Sequence, residues 1–312
     1  MLYPIIDIGS NTVKLAVLDA DKLFSQAPVF FKAAPLGLKT KTQDNRLKDS
    51  ATSELCELIS TYVETASRLT KIPPIVFATA SLRGLENADE VLQTIRERCK
   101  VEATLIDGET EAFFSFLGAR GNYPVKGGIS VDLGGGSTEI LSFHKDKVIK
   151  SVSLPFGCLT LYQMFFSCGK SDYEACCAFV REHLQKMAPK TMGNSILLSG
   201  GSAKAVLKYK NFLESKKSFT LGTKQMKRIK NHFENGNEDE KNKIESVLKD
   251  RFRLIPPAVA VFSQIARFYE KDQVFVCRSG VREGCLFYIL QKNDPKDTHF
   301  FKKMLDTKDT LW

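Results

Sequence analysis

The chain has 312 residues, is 43% hydrophobic and 26% charged, and carries a formal net charge of +9. No segment approaches the ~18 consecutive apolar residues of a membrane-spanning helix, and the composition is that of a soluble globular protein with room for two domains. The positive balance suits an anionic partner, whether nucleic acid, polyphosphate or a phosphorylated small molecule.

The N-terminus, MLYPIIDIGS, has no basic start and reaches an acid at residue 7, so it reads as a strand rather than a secretion signal. The eight cysteines include no Cys-x-x-Cys pair and no histidine at finger spacing, which points to small hydrophobes in a reduced cytoplasm rather than a disulfide framework or a zinc site. The four histidines lie in no motif, so histidine-based catalysis is not expected.

In chain order, Leu2–Ile6 and Val13–Leu18 are apolar runs flanking DIGSNT, a strand–turn–strand unit. Leu55, Leu58, Ile59, Tyr62, Val63, Ala66 and Leu69 recur at steps of three and four and predict an amphipathic helix. A short strand over Ile75–Thr79, a helix over Ala88–Arg98 and a strand over Val101–Ile106 follow. GETEAFFSFLGA then opens a helix with acids in its first turn, where the helix dipole favours them.

The pattern restarts at ISVDLGGGSTEILSF, again strand–turn–strand, and KVIKSVSLP continues as strand. Ser171 and Glu174 match a capping box opening the helix EACCAFVREHLQKM. Ser195–Leu198 is a strand running into SGGSAK and a helix. Much of the basic excess lies in KYKNFLESKK and in residues 224–253, where interleaved acids indicate a solvated helical face. With no zinc finger and no aromatic-basic RNA motif, a dedicated nucleic-acid module is not expected. The remainder is helical as far as the strand Gln273–Cys277, which a turn and an apolar helix follow.

Two strand–acid–Gly/Ser/Thr-turn–strand units, DIGSNT and DLGGGST, imply an internal duplication. Each turn alone is either a tight hairpin or a phosphate cradle, in which side-chain-free residues bring backbone N–H groups to an anion and the acid holds a metal on it. Two acid-tagged copies favour the cradle. A third glycine-rich element, SGGSAK at 199–204, enters a helix where free N–H groups and the positive dipole end would meet an anion. Neither a P-loop nor a dinucleotide Gly-x-Gly-x-x-Gly pattern is present.

DIGSNTVKL, ATASLRG, IDGETEAFFSFLGA, VDLGGGSTEI, SLPFGCLTL, SGGSAKA and SGVREG occur in the order of the exopolyphosphatase/guanosine pentaphosphate phosphatase family, which the chain resembles over roughly residues 3 to 290. The resemblance implies an α/β fold of two ribonuclease-H-like domains of the actin-like ATPase superfamily with an interdomain cleft. The domains are expected at 1–122 and 123–292, with a C-terminal helix at about 293–312 placed against the first. It further implies a cytoplasmic, homodimeric phosphoanhydride hydrolase that acts on polyphosphate or a phosphorylated guanine nucleotide and uses Mg²⁺ or Mn²⁺.

Family roles transfer onto matching positions. The family's general base falls on Glu111, while the preceding acid of its Gly-x-Glu-Glu-Ala segment is Thr110 here; the alternative for Glu111 is a helix-start acid. Asp7 and Asp132 are the metal candidates. Ser10, Asn11, Thr12, Lys14, Gly134, Gly135, Gly136 and Ser137 are the phosphate-binding candidates, together with Gly200, Gly201 and Ser202. Arg83 would bind phosphate bidentately, or is a surface arginine. Glu139 would orient the water or a metal-bound water, or is a plain strand acid. Arg253 and Ala258 depart from the family's Arg-x-Asp element and its following glycine, and the helical HD-type domain of long members is not expected here. Short chains and guanosine pentaphosphate are therefore both credible substrates. A kinase-like or nucleotide-gated relative is the alternative of another class, against which the Glu111 segment argues.

Overall fold

In the computed structural model, which describes residues 1–145, 147–169, 171–191 and 193–292, the chain divides into two units. One takes Met1–Gly118 and, among the described residues, Val281–Lys292, the other Ala119–Gly280. Residues 293–312, where the sequence places a C-terminal helix, lie outside the described residues.

The first unit begins with an antiparallel meander, β1 (Leu2–Ile8), β2 (Thr12–Asp19) and β3 (Phe30–Pro35). A small hairpin, β4 (Thr42–Gln43) and β5 (Arg46–Leu47), leads into α1 (Asp49–Ser67). After β6 (Ile75–Ala78), α2 (Ala88–Cys99) and β7 (Ala103–Leu105) comes α3 (Gly108–Asn122). The sheet order is β3-β2-β1-β6-β7, with β6 parallel to β1 and β7 parallel to β6. β1 is central and therefore apolar almost throughout, and Ile6 and Ile8 face α1 and α2 through Leu55, Ile59, Val91 and Ile95. The buried Tyr62 hydroxyl donates to the Val13 carbonyl at 3.3 Å, so this core holds no orphaned phenol.

The second unit repeats the plan. β8 (Gly127–Leu133), β9 (Thr138–His144) and β10 (Lys147–Leu154) form the meander, followed by α4 (Cys158–Phe165) and α5 (Tyr173–Met187). β11 (Ser195–Ser199) runs directly into α6 (Gly200–Glu214). β12 (Thr220–Gly222), α7 (Thr223–Asn235), α8 (Glu238–Leu248), a 3-10 segment (Lys249–Leu254), α9 (Ile255–Phe268) and β13 (Gln273–Val276) complete it. The order β10-β9-β8-β11-β13-β12 has β11 parallel to β8, β13 parallel to β11, and β12 added antiparallel on the edge. With the β4–β5 hairpin and the added edge strand β12 set aside, the strands of both sheets read 3-2-1-4-5 in chain order, the ribonuclease-H-like arrangement. The duplication visible in the two turns is thus a duplication of topology.

Three sequence expectations are corrected. Helix α10 (Val281–Lys292), expected in the second domain, belongs to the first unit. Its Gly284 lies so close to α3 that a Cβ there would stand 1.8 Å from the Phe114 carbonyl oxygen, and Tyr288 packs its ring against Phe113 and Phe114. The division after α3 starts falls at 118/119 rather than 122/123. The α5 cap is Asp172, whose Oδ1 accepts from the Ala175 amide at 2.9 Å, rather than Ser171. Seven cysteines are buried core thiols and only Cys168 is exposed. No helix among the described residues is long and apolar enough to cross a membrane.

Candidate active site

In the first unit the β1–β2 turn is closed by the Gly9 amide donating to the Thr12 carbonyl at 3.2 Å. The Ser10 carbonyl accepts from Lys39 N–H, and the Asn11 carbonyl accepts from Leu36 and Gly37 N–H. Because C=O and N–H of a trans peptide point opposite ways, fixing these carbonyls turns the Asn11 and Thr12 amides to the other side. The antiparallel register sets Lys14 directly across from Asp7, and Lys14 Nζ lies 2.9 Å from Asp7 Oδ2. Lys14, expected on phosphate, is therefore paired with the acid expected on metal. Ser10 is buried in the turn, while Asn11 and Thr12 are partly exposed.

Asp107 starts α3: its Oδ1 accepts from the Thr110 amide at 2.8 Å and its carbonyl from the Glu111 amide at 3.0 Å. That cap fixes the rotation of the first turn, burying Thr110 and Glu111 and leaving Glu109 exposed. Arg83, on the segment after β6, donates from Nη2 to Glu111 Oε2 at 2.7 Å, with both side chains mostly buried. The sequence places Arg83 on phosphate; here its guanidinium orients the carboxylate expected to act as base.

The second unit builds the same turn with more glycine. Gly134 N–H donates to the Ser137 carbonyl at 3.0 Å. The first amides of α4 take the outer carbonyls: Cys158 N–H binds Gly134, and Leu159 and Thr160 N–H bind Gly135. The Gly135 and Gly136 amides are thereby turned away from α4, and a row of donors faces the opposite side. Gly157 is what permits this, since a Cβ there would stand 2.4 Å from the Gly135 carbonyl carbon.

Asp132 and Glu139 are direct cross-strand partners on this hairpin, and both are buried. Glu139 Oε1 also accepts from Ser153 Oγ at 2.9 Å, which fixes it from β10. Like charges opposite one another repel, so the pair gains from a bound cation. α6 abuts it: Gly200 has φ +84°, and a Cβ there would lie 2.4 Å from Asp132 Oδ1. Ser202 is buried one turn in and contacts the Cys158 thiol, whose pKa burial pushes up to about 12. A cluster of three or more acidic, histidine or cysteine ligands is absent among the described residues. A pair of carboxylates is a donor set that suits Mg²⁺, which keeps several waters and takes few carboxylates.

Arg251 was not among the residues singled out from sequence. A Cβ on Gly201 would meet its guanidinium at 2.2 Å, so the arginine lies flat on the first turn of α6. In RFRLIPP the signal is an arginine two residues before Arg253, which is itself exposed and stacks 5.4 Å from the Tyr162 ring centroid. Ala258, the other departure, is buried in α9 as core.

The family model for the Ppx/GppA phosphatase family matches residues 32–293. The chain belongs to the Ppx/GppA phosphatase family. Exopolyphosphatase 1 of Mycobacterium tuberculosis is 31% identical over 160 residues, covering 50% of this chain and 46% of that protein. The chain thus spans about half the length of the curated relatives it matches. The crystal structure of the Aquifex aeolicus Ppx/GppA family member shares the fold, with TM-score 0.78 at 23% identity over 94% of this chain and 99% of that one. An exopolyphosphatase from Cytophaga hutchinsonii does so with TM-score 0.79 at 16% identity, over 95% and 100% of the respective chains. Thr110, where the resemblance implies an acid, is buried in the first turn of α3, and the Asp107 cap accepts from its amide at 2.8 Å.

Proposed function

We propose that the chain is a metal-dependent phosphoanhydride hydrolase that releases terminal orthophosphate from polyphosphate; the alternative is the same chemistry on guanosine pentaphosphate. The observation carrying this reading is the β8–β9 hairpin, where two buried carboxylates stand opposite each other beside a turn whose Gly135 and Gly136 amides are both turned away from α4. That arrangement serves a polyanion and its counter-cation better than it serves a hairpin.

Glu111, aimed by Arg83, takes a proton from the attacking water. The water oxygen bonds to the terminal phosphorus, the bridging P–O bond breaks, and the bridging oxygen leaves with the shortened chain. The Gly135 and Gly136 amides and the start of α6 at Gly200, Gly201 and Ser202 bind equatorial oxygens, where charge accumulates. In the first unit, the Asn11 and Thr12 amides and Lys14 offer the same chemistry. Asp132 with Glu139, and Asp7 through the oxygen not engaged by Lys14, are the carboxylates proposed to hold Mg²⁺ or Mn²⁺, which would neutralise phosphate charge when bound.

Phosphate release from polyphosphate, guanosine pentaphosphate and ATP, measured in parallel with Mg²⁺ and with excess chelator, tests this. Release from polyphosphate or guanosine pentaphosphate is expected to exceed that from ATP, to vanish with chelator and to return with added Mg²⁺. Undiminished release in chelator would remove the cation from the account.

A further inference from the structure

Where β13 ends, the chain passes Cys277, whose amide donates to the Leu198 carbonyl at 2.7 Å, and reaches Arg278. β11 and β13 pair in parallel as Leu197 with Phe275 and Leu198 with Val276. Continued by two residues, that register sets Arg278 beside Gly200, the first residue of α6. Two residues further on, Gly280 packs on the Ser199 side chain and the Gly200 amide, with a notional Cβ at 3.7 and 3.9 Å. In that continued register the Arg278 backbone stands about one strand spacing, ~5 Å, from the helix start assigned above to phosphate.

On its other side β13 pairs antiparallel with β12, Thr220 opposite Phe275, and the Val276 amide donates to the Phe219 carbonyl at 2.7 Å. Continued outward, this register sets Lys217 across from Arg278. The segment is fixed: Ser218 is held through its amide and carbonyl by Asn211, and through its hydroxyl by Lys210. Phe219 is 46% exposed, and the Arg278 guanidinium carbon lies over its ring, 5.4 Å from the centroid. Both cations are exposed, and no carboxylate among the described residues pairs with either. Like charges facing each other across a strand pair are unfavourable. Holding an arginine by stacking leaves its planar fork available for two-point binding of a phosphate.

We propose that Arg278, held over Phe219 with Lys217 across from it, is a second phosphate subsite, binding the phosphates that follow the one at the start of α6 and so favouring chains of three or more. This rests on the reading of a polyphosphate substrate. The subsite acts on affinity and not on the reacting atoms, since the fork holds groups away from the bond that breaks.

The test compares Arg278→Ala, Arg278→Lys and Phe219→Ala with the full-length wild type. KM and kcat are measured for tripolyphosphate and pyrophosphate, and affinity for imidotriphosphate, an analogue with nitrogen bridges, is measured by calorimetry. For Arg278→Ala, KM for tripolyphosphate and Kd for imidotriphosphate are expected to rise about 10- to 100-fold, the range of a charge-assisted contact. kcat and the pyrophosphate KM stay within about twofold, and lysine recovers only part of the loss because it lacks the fork. Phe219→Ala, with the charge intact, is expected to raise the tripolyphosphate KM severalfold. An unchanged Kd for imidotriphosphate, or a fall in kcat at unchanged KM, overturns the subsite while leaving the hydrolase reading in place. A wild type that neither binds nor cleaves either compound overturns both.

Discussion

Glu111→Gln is expected to lower the single-turnover rate of phosphate release by about 10²–10⁴-fold, the loss typical of removing a general base. The amide retains the shape of the carboxylate and still offers its oxygen to Arg83, whose Nη2 lies 2.7 Å from Oε2 in the native pair. The side chain therefore keeps its place, and what is lost is the oxygen able to take up the water's proton. Substrate affinity should hold or improve, because one negative charge near a polyanion has gone. Glu109→Gln is the comparison, as that acid sits two residues away, exposed, on the opposite side of the first turn. It should leave turnover near wild type. If Glu111 served only the helix dipole, its substitution would cost a few tenths of a kcal/mol of stability and no rate. A rate loss in Glu109→Gln with Glu111→Gln unaffected would assign the base to the wrong acid.

Gly157→Ala is the second change with a large expected effect, and it touches no reacting group. Its new methyl would stand 2.4 Å from a backbone carbon of Gly135, so the turn or α4 must move. Overpacking of this kind costs about 1–3 kcal/mol, to be read as a lowered melting temperature. The rate should fall further than stability alone explains, since an ångström of misplacement among binding amides is worth about 10²-fold. Gly169→Ala separates the two effects. That glycine also belongs to the second unit, with φ +77°, yet a Cβ there meets nothing within 4 Å. It should cost about 1–2 kcal/mol of left-handed strain and leave turnover intact. Equal activity losses in the two alanine variants would mean that the carbonyl clamp from α4 does not position the turn.

The sequence was most legible where local chemistry decides the structure. Each acid–glycine turn between apolar runs formed the predicted hairpin, and both hairpins seed the same sheet order, so the duplication could be read from two short motifs. Edge strands were harder. β3 and β12 have one free edge each and neither shows a sustained apolar run: β3 is Phe-Phe-Lys-Ala-Ala-Pro with three exposed residues in its middle, and β12 has three residues in all. The basic stretch 224–253 reads as one amphipathic face, but Gly236 and the Asn237 cap divide it into α7 and α8. Contacts distant in sequence were not legible at all. That Arg83 meets Glu111 rather than standing at the surface depends on a turn after β6 reaching the first turn of α3. Lys14 meeting Asp7 follows from strand register, which the motif residues alone do not give. Arg251 reaches α6 from a 3-10 segment some fifty residues later, and only the fold shows that Gly201 makes room for it.

The central claim is that water attacks the terminal phosphorus of a polyphosphate chain. Hydrolysis of tripolyphosphate in ¹⁸O-enriched water, followed by mass spectrometry of the products, tests it most directly. One ¹⁸O in each released orthophosphate and an unlabelled pyrophosphate is the expected result, because the bridging oxygen departs with the shortened chain. Label in the pyrophosphate in place of the orthophosphate, or phosphoryl transfer to a nucleotide with no labelled orthophosphate, would contradict the account.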